Sequence, residues 1–153
     1  MKIYVDMLFI NMKLETFSIE VNESTTLKKA KELILEVSYV YPEEQAWFSN
    51  NIPLKNQKIE WSNNSNYSII VNNYWYNFKI KNMLGTIIDV THLSSRDKIS
   101  VIKYHIYEKV GIYPDSYKLL YNNKELKDYE YIGKYFIPDQ SLINLVIKLN
   151  SGN

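Results

Sequence analysis

The chain contains the same short pattern twice, seventy-two residues apart. Val40–Leu54 reads VYPEEQAWFSNNIPL and Val110–Leu126 reads VGIYPDSYKLLYNNKEL. Both contain Tyr-Pro (Tyr41-Pro42, Tyr113-Pro114), a following acid (Glu43, Asp115) and a hydrophobic pair (Trp47-Phe48, Leu119-Leu120). Asn-Asn (Asn50-Asn51, Asn122-Asn123) and a closing leucine (Leu54, Leu126) complete each copy. An internal repeat at this offset divides 153 residues into two copies of one small unit instead of one larger domain. Such units lie near the lower limit for independent folding, so each needs one compact core.

Composition narrows the function classes. With 46% hydrophobic and 23% charged residues, four Gly and four Pro, the chain reads as ordered rather than disordered. The absence of any apolar run of membrane-span length, and of a charged-then-apolar leader, leads to the expectation of a cytoplasmic protein without a membrane partner. With no cysteine, the chain supplies no disulfide, thiolate metal site or thiol nucleophile. The net charge of +1, slightly acidic in the first half and slightly basic in the second, is far from a nucleic-acid-binding balance.

Alternation and helical spacing place the elements. Met1, Ile3 and Val5, then Phe17, Ile19 and Val21, alternate as two strands of a hairpin. Asn22–Thr26 offers side-chain oxygens to open a helix whose apolar positions are Leu27, Ala30, Ile34 and Val37, and which ends before Pro42. Trp47-Phe48 reads as a short strand, with Trp47 in the core, followed by a tight turn at Asn50-Asn51. Residues 55–66 are polar, and Tyr67, Ile69 and Val71 form the closing strand.

The second unit repeats the order. Phe78 and Ile80, then Ile88 and Val90, make strands around a turn at Gly85. Ile99, Ile102, Ile106 and Val110 predict a helix with Asp97 as its cap and Gly111 as a left-handed stop. Leu119–Tyr121 forms a third strand. Ile132, Tyr135 and Ile137 form a helical turn, and Ile143, Leu145, Ile147 and Leu149 a long final strand. The expected division is 1–72 and 76–150 with a short linker, the aromatics Tyr74-Trp75-Tyr76 packing between units, and a flexible tail at 151–153.

A ββαβ order, a short helical segment and a last strand describe an α+β domain of the β-grasp kind, with other small α+β folds left open by pattern alone. The motifs go further. VIKYHIYEKVGIYPDSYKLLYNNKELKDY and IGKYFIPDQSLINLVIKLNSG resemble ubiquitin without gaps from Ile99 to Gly152, and the first unit resembles a divergent copy shortened between Leu54 and Tyr67. The whole chain is therefore similar to the tandem ubiquitin-like modifiers, the interferon-induced antiviral modifier and the tandem proteins of bacterial antiphage operons among them. The resemblance implies two tandem ubiquitin-like β-grasp domains and a role as a protein modifier, possible antiviral defence included.

Residue roles follow from that resemblance by position. Leu120 and Val146 match the centres of the family's hydrophobic recognition patch, Leu84 or Met83 matches the loop residue completing it, and Asn144 stands in place of a histidine. Lys118 and Lys148 replace flanking arginines, Lys148 at the position read by the activating enzyme. Lys124 matches a chain-building lysine, Asp139 replaces another, and Lys134 replaces an acid. The conjugating terminus is Gly152, preceded by Ser151 and exposed once a protease removes Asn153. The implied partners are an activating enzyme, a conjugating enzyme, a deconjugating protease and target proteins, with a homo-oligomer as a further expectation.

His92 and His105 have no third ligand at metal spacing, and no cofactor motif is present. Glu43-Glu44 reads as a surface pair without a base or pocket, so no catalytic residue is assigned and an enzyme is not expected. The alternative function is a non-conjugated binding or self-assembly module built on the same two surfaces.

Overall fold

A computed structural model describes residues 1–72 and 74–149. The chain forms two compact units, Met1–Tyr74 and Trp75–Asn153. Ser151, Gly152 and Asn153 lie outside the described residues.

In the first unit, β1 (Lys2–Leu8) and β2 (Leu14–Glu20) form the antiparallel hairpin, and α1 (Leu27–Ser38) follows. β3 (Gln45–Ser49) and β4 (Ile52–Pro53) precede β5 (Tyr67–Val71). The sheet order is β2-β1-β5-β3-β4, with β5 parallel to β1. Parallel neighbours need a crossover, and α1 supplies it. The helix starts where the Thr26 side chain accepts from Lys29 N. Ile3, Val5, Met7, Ile19, Ala30, Ile34, Trp47 and Ile69 fill the space between helix and sheet.

The second unit repeats this arrangement with β6 (Tyr76–Lys81), β7 (Ile87–Leu93), α2 (Ile99–Val110), β8 (Tyr117–Tyr121), β9 (Lys124–Leu126) and β10 (Leu142–Ile147). Its order is β7-β6-β10-β8-β9, and β10 runs parallel to β6. Both units are α+β with one helix on a mixed five-stranded sheet, so the chain holds two β-grasp domains in tandem. The Asn-Asn pairs make the same turn in each: Asn50, Asn51, Asn122 and Asn123 all have positive φ between 49° and 66°, which asparagine tolerates. Gly111 closes α2 at φ 73°, its N–H bonded to the Tyr107 carbonyl.

Several local expectations are corrected. Val37 is exposed, and the buried stripe of α1 continues to Ser38, whose hydroxyl donates to the Ile34 carbonyl and accepts from Val40 N. Asp97 does not cap α2. Its carboxylate accepts from Ser94 N one turn earlier, and Lys98 is the cap residue without a side-chain bond. Val110, Ile147 and Leu149 are exposed, so the core-facing alternation of β10 ends at Leu145.

Glu44 is not a surface residue. It is buried, and its carboxylate accepts from Tyr41 N at 2.9 Å in a capping box around Pro42. The polar stretch 55–66 also conceals core. Ile59 and Trp61 are buried, Trp61 edge-on to Trp47 at 6.2 Å with its indole N–H donating to the Thr25 carbonyl. In the second unit Ile132 and Ile137 are buried in the corresponding connection.

Candidate recognition face

Strand alternation sends successive side chains of β8 and β10 to opposite sides of the sheet. Tyr117, Leu119, Ile143 and Leu145 face the core, whereas Lys118, Leu120, Asn144 and Val146 face outward. Antiparallel pairing puts Leu120 opposite Asn144 and Lys118 opposite Val146. Leu120 and Val146 are therefore diagonal neighbours, both half-buried. On the far side, the parallel register sets Lys81 opposite Asn144 and Lys79 opposite Leu142.

Leu84 does not stand on this sheet surface. It occupies the β6–β7 turn beside Gly85, with its side chain 92% exposed, and Met83 beside it is also exposed. The Asn82 side chain organises that turn by accepting from Leu84 N and Thr86 N. Of the residues singled out from the sequence, the sheet brings together Leu120, Val146, Asn144 and Lys118. Leu84 lies on the adjoining turn.

The rim carries several lysines and two acids among the described residues, Asp89 paired with Lys79 at 3.1 Å on the β7 side and Glu125 on the β9 side. Lys127, 3.0 Å from the Glu125 carboxylate, holds that carboxyl below its usual range, and Lys118 and Lys148 add to the effect. Glu125 in turn raises Lys127. Lys124 is exposed beyond the Asn-Asn turn, its ammonium 5.3 Å from the centre of the Tyr135 ring. Lys148 is exposed and anchored through its backbone, its N–H donating to the Ser116 carbonyl at 2.9 Å. Asp139 accepts from Asn77 N, a fold contact, and Lys134 pairs with Glu130 at 2.6 Å. The face thus places half-buried apolar side chains at its centre and exposed lysines towards its edge.

The first unit has an outer face of different character. A row of paired residues crosses four strands: Leu14 of β2, Leu8 of β1, Ile70 of β5 and Ala46 of β3. Phe48 is diagonal to Ile70 and opposite Pro53. No charged side chain interrupts this row, whereas Lys118 occupies the repeat position of Ala46. Sequence alternation predicts which residues point outward, but the apolar row emerges only with the strand register.

A model of the ubiquitin family matches residues 78–150. The chain is 32% identical over 75 residues to "Ubiquitin-like protein 1" of Schizosaccharomyces pombe, covering 95% of that protein and 49% of this chain. It is 32% identical over 74 residues to "Ubiquitin-like protein NEDD8" of Dictyostelium discoideum, covering 95% of that protein and 48% of this chain.

Proposed function

The chain belongs to the ubiquitin family, and on that premise we propose that it is a tandem ubiquitin-like modifier joined to target proteins through Gly152. Cleavage after Gly152, removing Asn153, frees the carboxylate. An activating enzyme that reads Lys148 adenylates this carboxylate from ATP and takes it as a thioester. A conjugating enzyme passes it to a target amine, and a deconjugating protease reverses the bond. This chain is the substrate of each step and supplies binding surface rather than catalytic groups. The family match over residues 78–150, together with the near full-length coverage of two ubiquitin-like proteins, is the observation that supports the reading. A role in antiviral defence rests on the tandem arrangement, and a cytoplasmic location belongs to the same proposal.

The test is expression of tagged chain in its native cells, with and without Gly152 and everything after it. Higher-mass species should appear only with Gly152 present. A second reading, a non-conjugated module that self-associates through its first unit, is supported by the uncharged row Leu14, Leu8, Ile70 and Ala46. That module keeps its function and its self-association after the same deletion, whereas the modifier loses its function.

A further inference from the structure

Each sheet ends in two edge strands, β2 and β4 in the first unit, β7 and β9 in the second. The free N–H and C=O groups of an edge template another strand unless something blocks them. β4 has two residues and β9 three, too short to do so. β2 and β7 have seven residues each, and the two units treat them differently.

β7 is blocked at two places. Its register with β6 shifts between Tyr76 and Phe78, where His92 holds a positive φ of 60° and donates its N–H to the Asn77 side chain. Asn82 N donates to the Thr86 carbonyl, so by alternation Ile88 and Val90 bond β6 and Asp89 turns its N–H and C=O to the free edge. The Lys109 ammonium, from the end of α2, donates to that Asp89 carbonyl.

β2 has neither device. Its seven residues pair with β1 in unbroken register, and LETFSIE contains no lysine or proline. Val21 N donates to the Met1 carbonyl and Phe9 N to the Lys13 carbonyl, so Glu15, Phe17 and Ile19 bond β1. Leu14, Thr16, Ser18 and Glu20 therefore turn their N–H and C=O to the free edge. Thr16 stands two residues beyond the hairpin pair Leu8–Leu14, as Asp89 does beyond Lys81–Ile87. The place of Lys109, the penultimate residue of α2, is held in α1 by Val37, which is 47% exposed and has no group to donate. Leu33, one turn before Val37, and Phe17, on the helix side of β2, are partly buried against the core. The second unit closes this edge with a lysine, and the first lines it with apolar side chains.

β2 is also self-complementary about a two-fold axis at Phe17. Antiparallel pairing there sets Leu14 opposite Glu20 and Thr16 opposite Ser18 of a second copy, with about eight backbone hydrogen bonds between the outward-turned residues. The Thr16 hydroxyl, which donates to Asp6 at 2.7 Å, accepts from Ser18 of the second copy. On the helix side Phe17 meets its own counterpart, and Glu15, held by Lys13 at 3.4 Å, meets Ile19. Centring the pair on Glu15 or Glu20 instead sets like charges opposite and shortens the overlap.

We infer that the chain forms a two-fold dimer in which β2 of one copy pairs antiparallel with β2 of a second copy, joining their five-stranded first-unit sheets edge to edge. The dimer uses the sheet edge instead of the uncharged outer row, and it forms whether or not Gly152 is conjugated.

The experiment is sedimentation equilibrium of the full chain, combined with amide hydrogen exchange. The parent should be a dimer at high micromolar concentration, and protection of the Thr16, Ser18 and Glu20 N–H groups should rise with concentration. Ser18→Pro removes an N–H that β1 does not use, so the unit should fold while dimer affinity falls at least about tenfold. Val37→Lys, which copies the Lys109 block at an exposed position, should weaken the dimer by a similar factor. Ile70→Lys should leave the dimer and the edge protection unchanged, whereas self-association through the outer row would be lost. The inference is overturned if the parent is monomeric at millimolar concentration, if Val37→Lys and Ser18→Pro dimerise as tightly as the parent, or if Ile70→Lys dissociates the dimer.

Discussion

Leu120 of β8 is paired directly with Asn144 of β10, and both face outward. Their chain neighbours Leu119 and Leu145, also paired with each other, face the core. One step along a strand therefore separates core-facing from outward-facing residues. Leu119→Ala should destabilise the second unit by about 3 kcal/mol, because it leaves a cavity. Leu120→Ala should cost about 1 kcal/mol or less, since that side chain is only half-buried. Urea titration read from the amide signals of the second unit checks the contrast, and equal losses would contradict the assignment of faces.

Lys103 and Asp128 form an ion pair with unequal burial, the lysine side chain 4% exposed and the aspartate 52%. Removing the exposed partner strands a buried cation, so Asp128→Ala should cost about 3 kcal/mol. Lys103→Met fills the same space and leaves a carboxylate that water can solvate, so it should cost about 1 kcal/mol or less. Thermal denaturation of the two variants checks the order.

The distinction between these two residues was not legible in the sequence. Lys103 falls next to the helical stripe of Ile99, Ile102 and Ile106, and spacing alone cannot tell a buried cation with a partner from a solvated one. Asp128 is distant in sequence and meets it only through the fold. The same limit hid Glu44, whose buried carboxylate closes a local turn, and Trp61, an aromatic in an otherwise polar stretch. By contrast, the repeat, the strand alternation and the Gly111 stop specified both domains, because those signals are local. The apolar row on the first unit lay between these cases: its members were visible, but their alignment depends on register.

Tyr117 is fully buried, and its hydroxyl has no hydrogen-bond partner among the described residues. Tyr117→Phe removes that unsatisfied group and should stabilise the second unit by about 1 kcal/mol. Burial, reinforced by the Asp128 charge, pushes the Tyr117 phenol above its ordinary value of 10.0. The folded state then holds its proton longer than the unfolded chain. This contribution is fully present below the unfolded phenol value and is lost as pH rises through the folded one. The parent should lose stability at alkaline pH more steeply than Tyr117→Phe, as measured by urea midpoints across the alkaline range.

Phe136 holds a left-handed backbone at φ 54° with its ring largely exposed, and Gly111 holds φ 73° with open space around it. Phe136→Gly should raise stability by about 1 kcal/mol by relieving that conformation. Gly111→Ala should lower it by about 1 kcal/mol, although no added atom clashes, because the cost is purely backbone. Differential scanning calorimetry should show opposite shifts for the two substitutions.

The most direct measurement of the central proposal is peptide mass spectrometry on tagged chain recovered from its native cells. The proposed role as a conjugated modifier predicts a branched peptide in which the Gly152 carboxylate is joined by an isopeptide bond to a lysine of another protein, with Asn153 gone. Recovery of chain still carrying Asn153, with no adduct at Gly152, would contradict it.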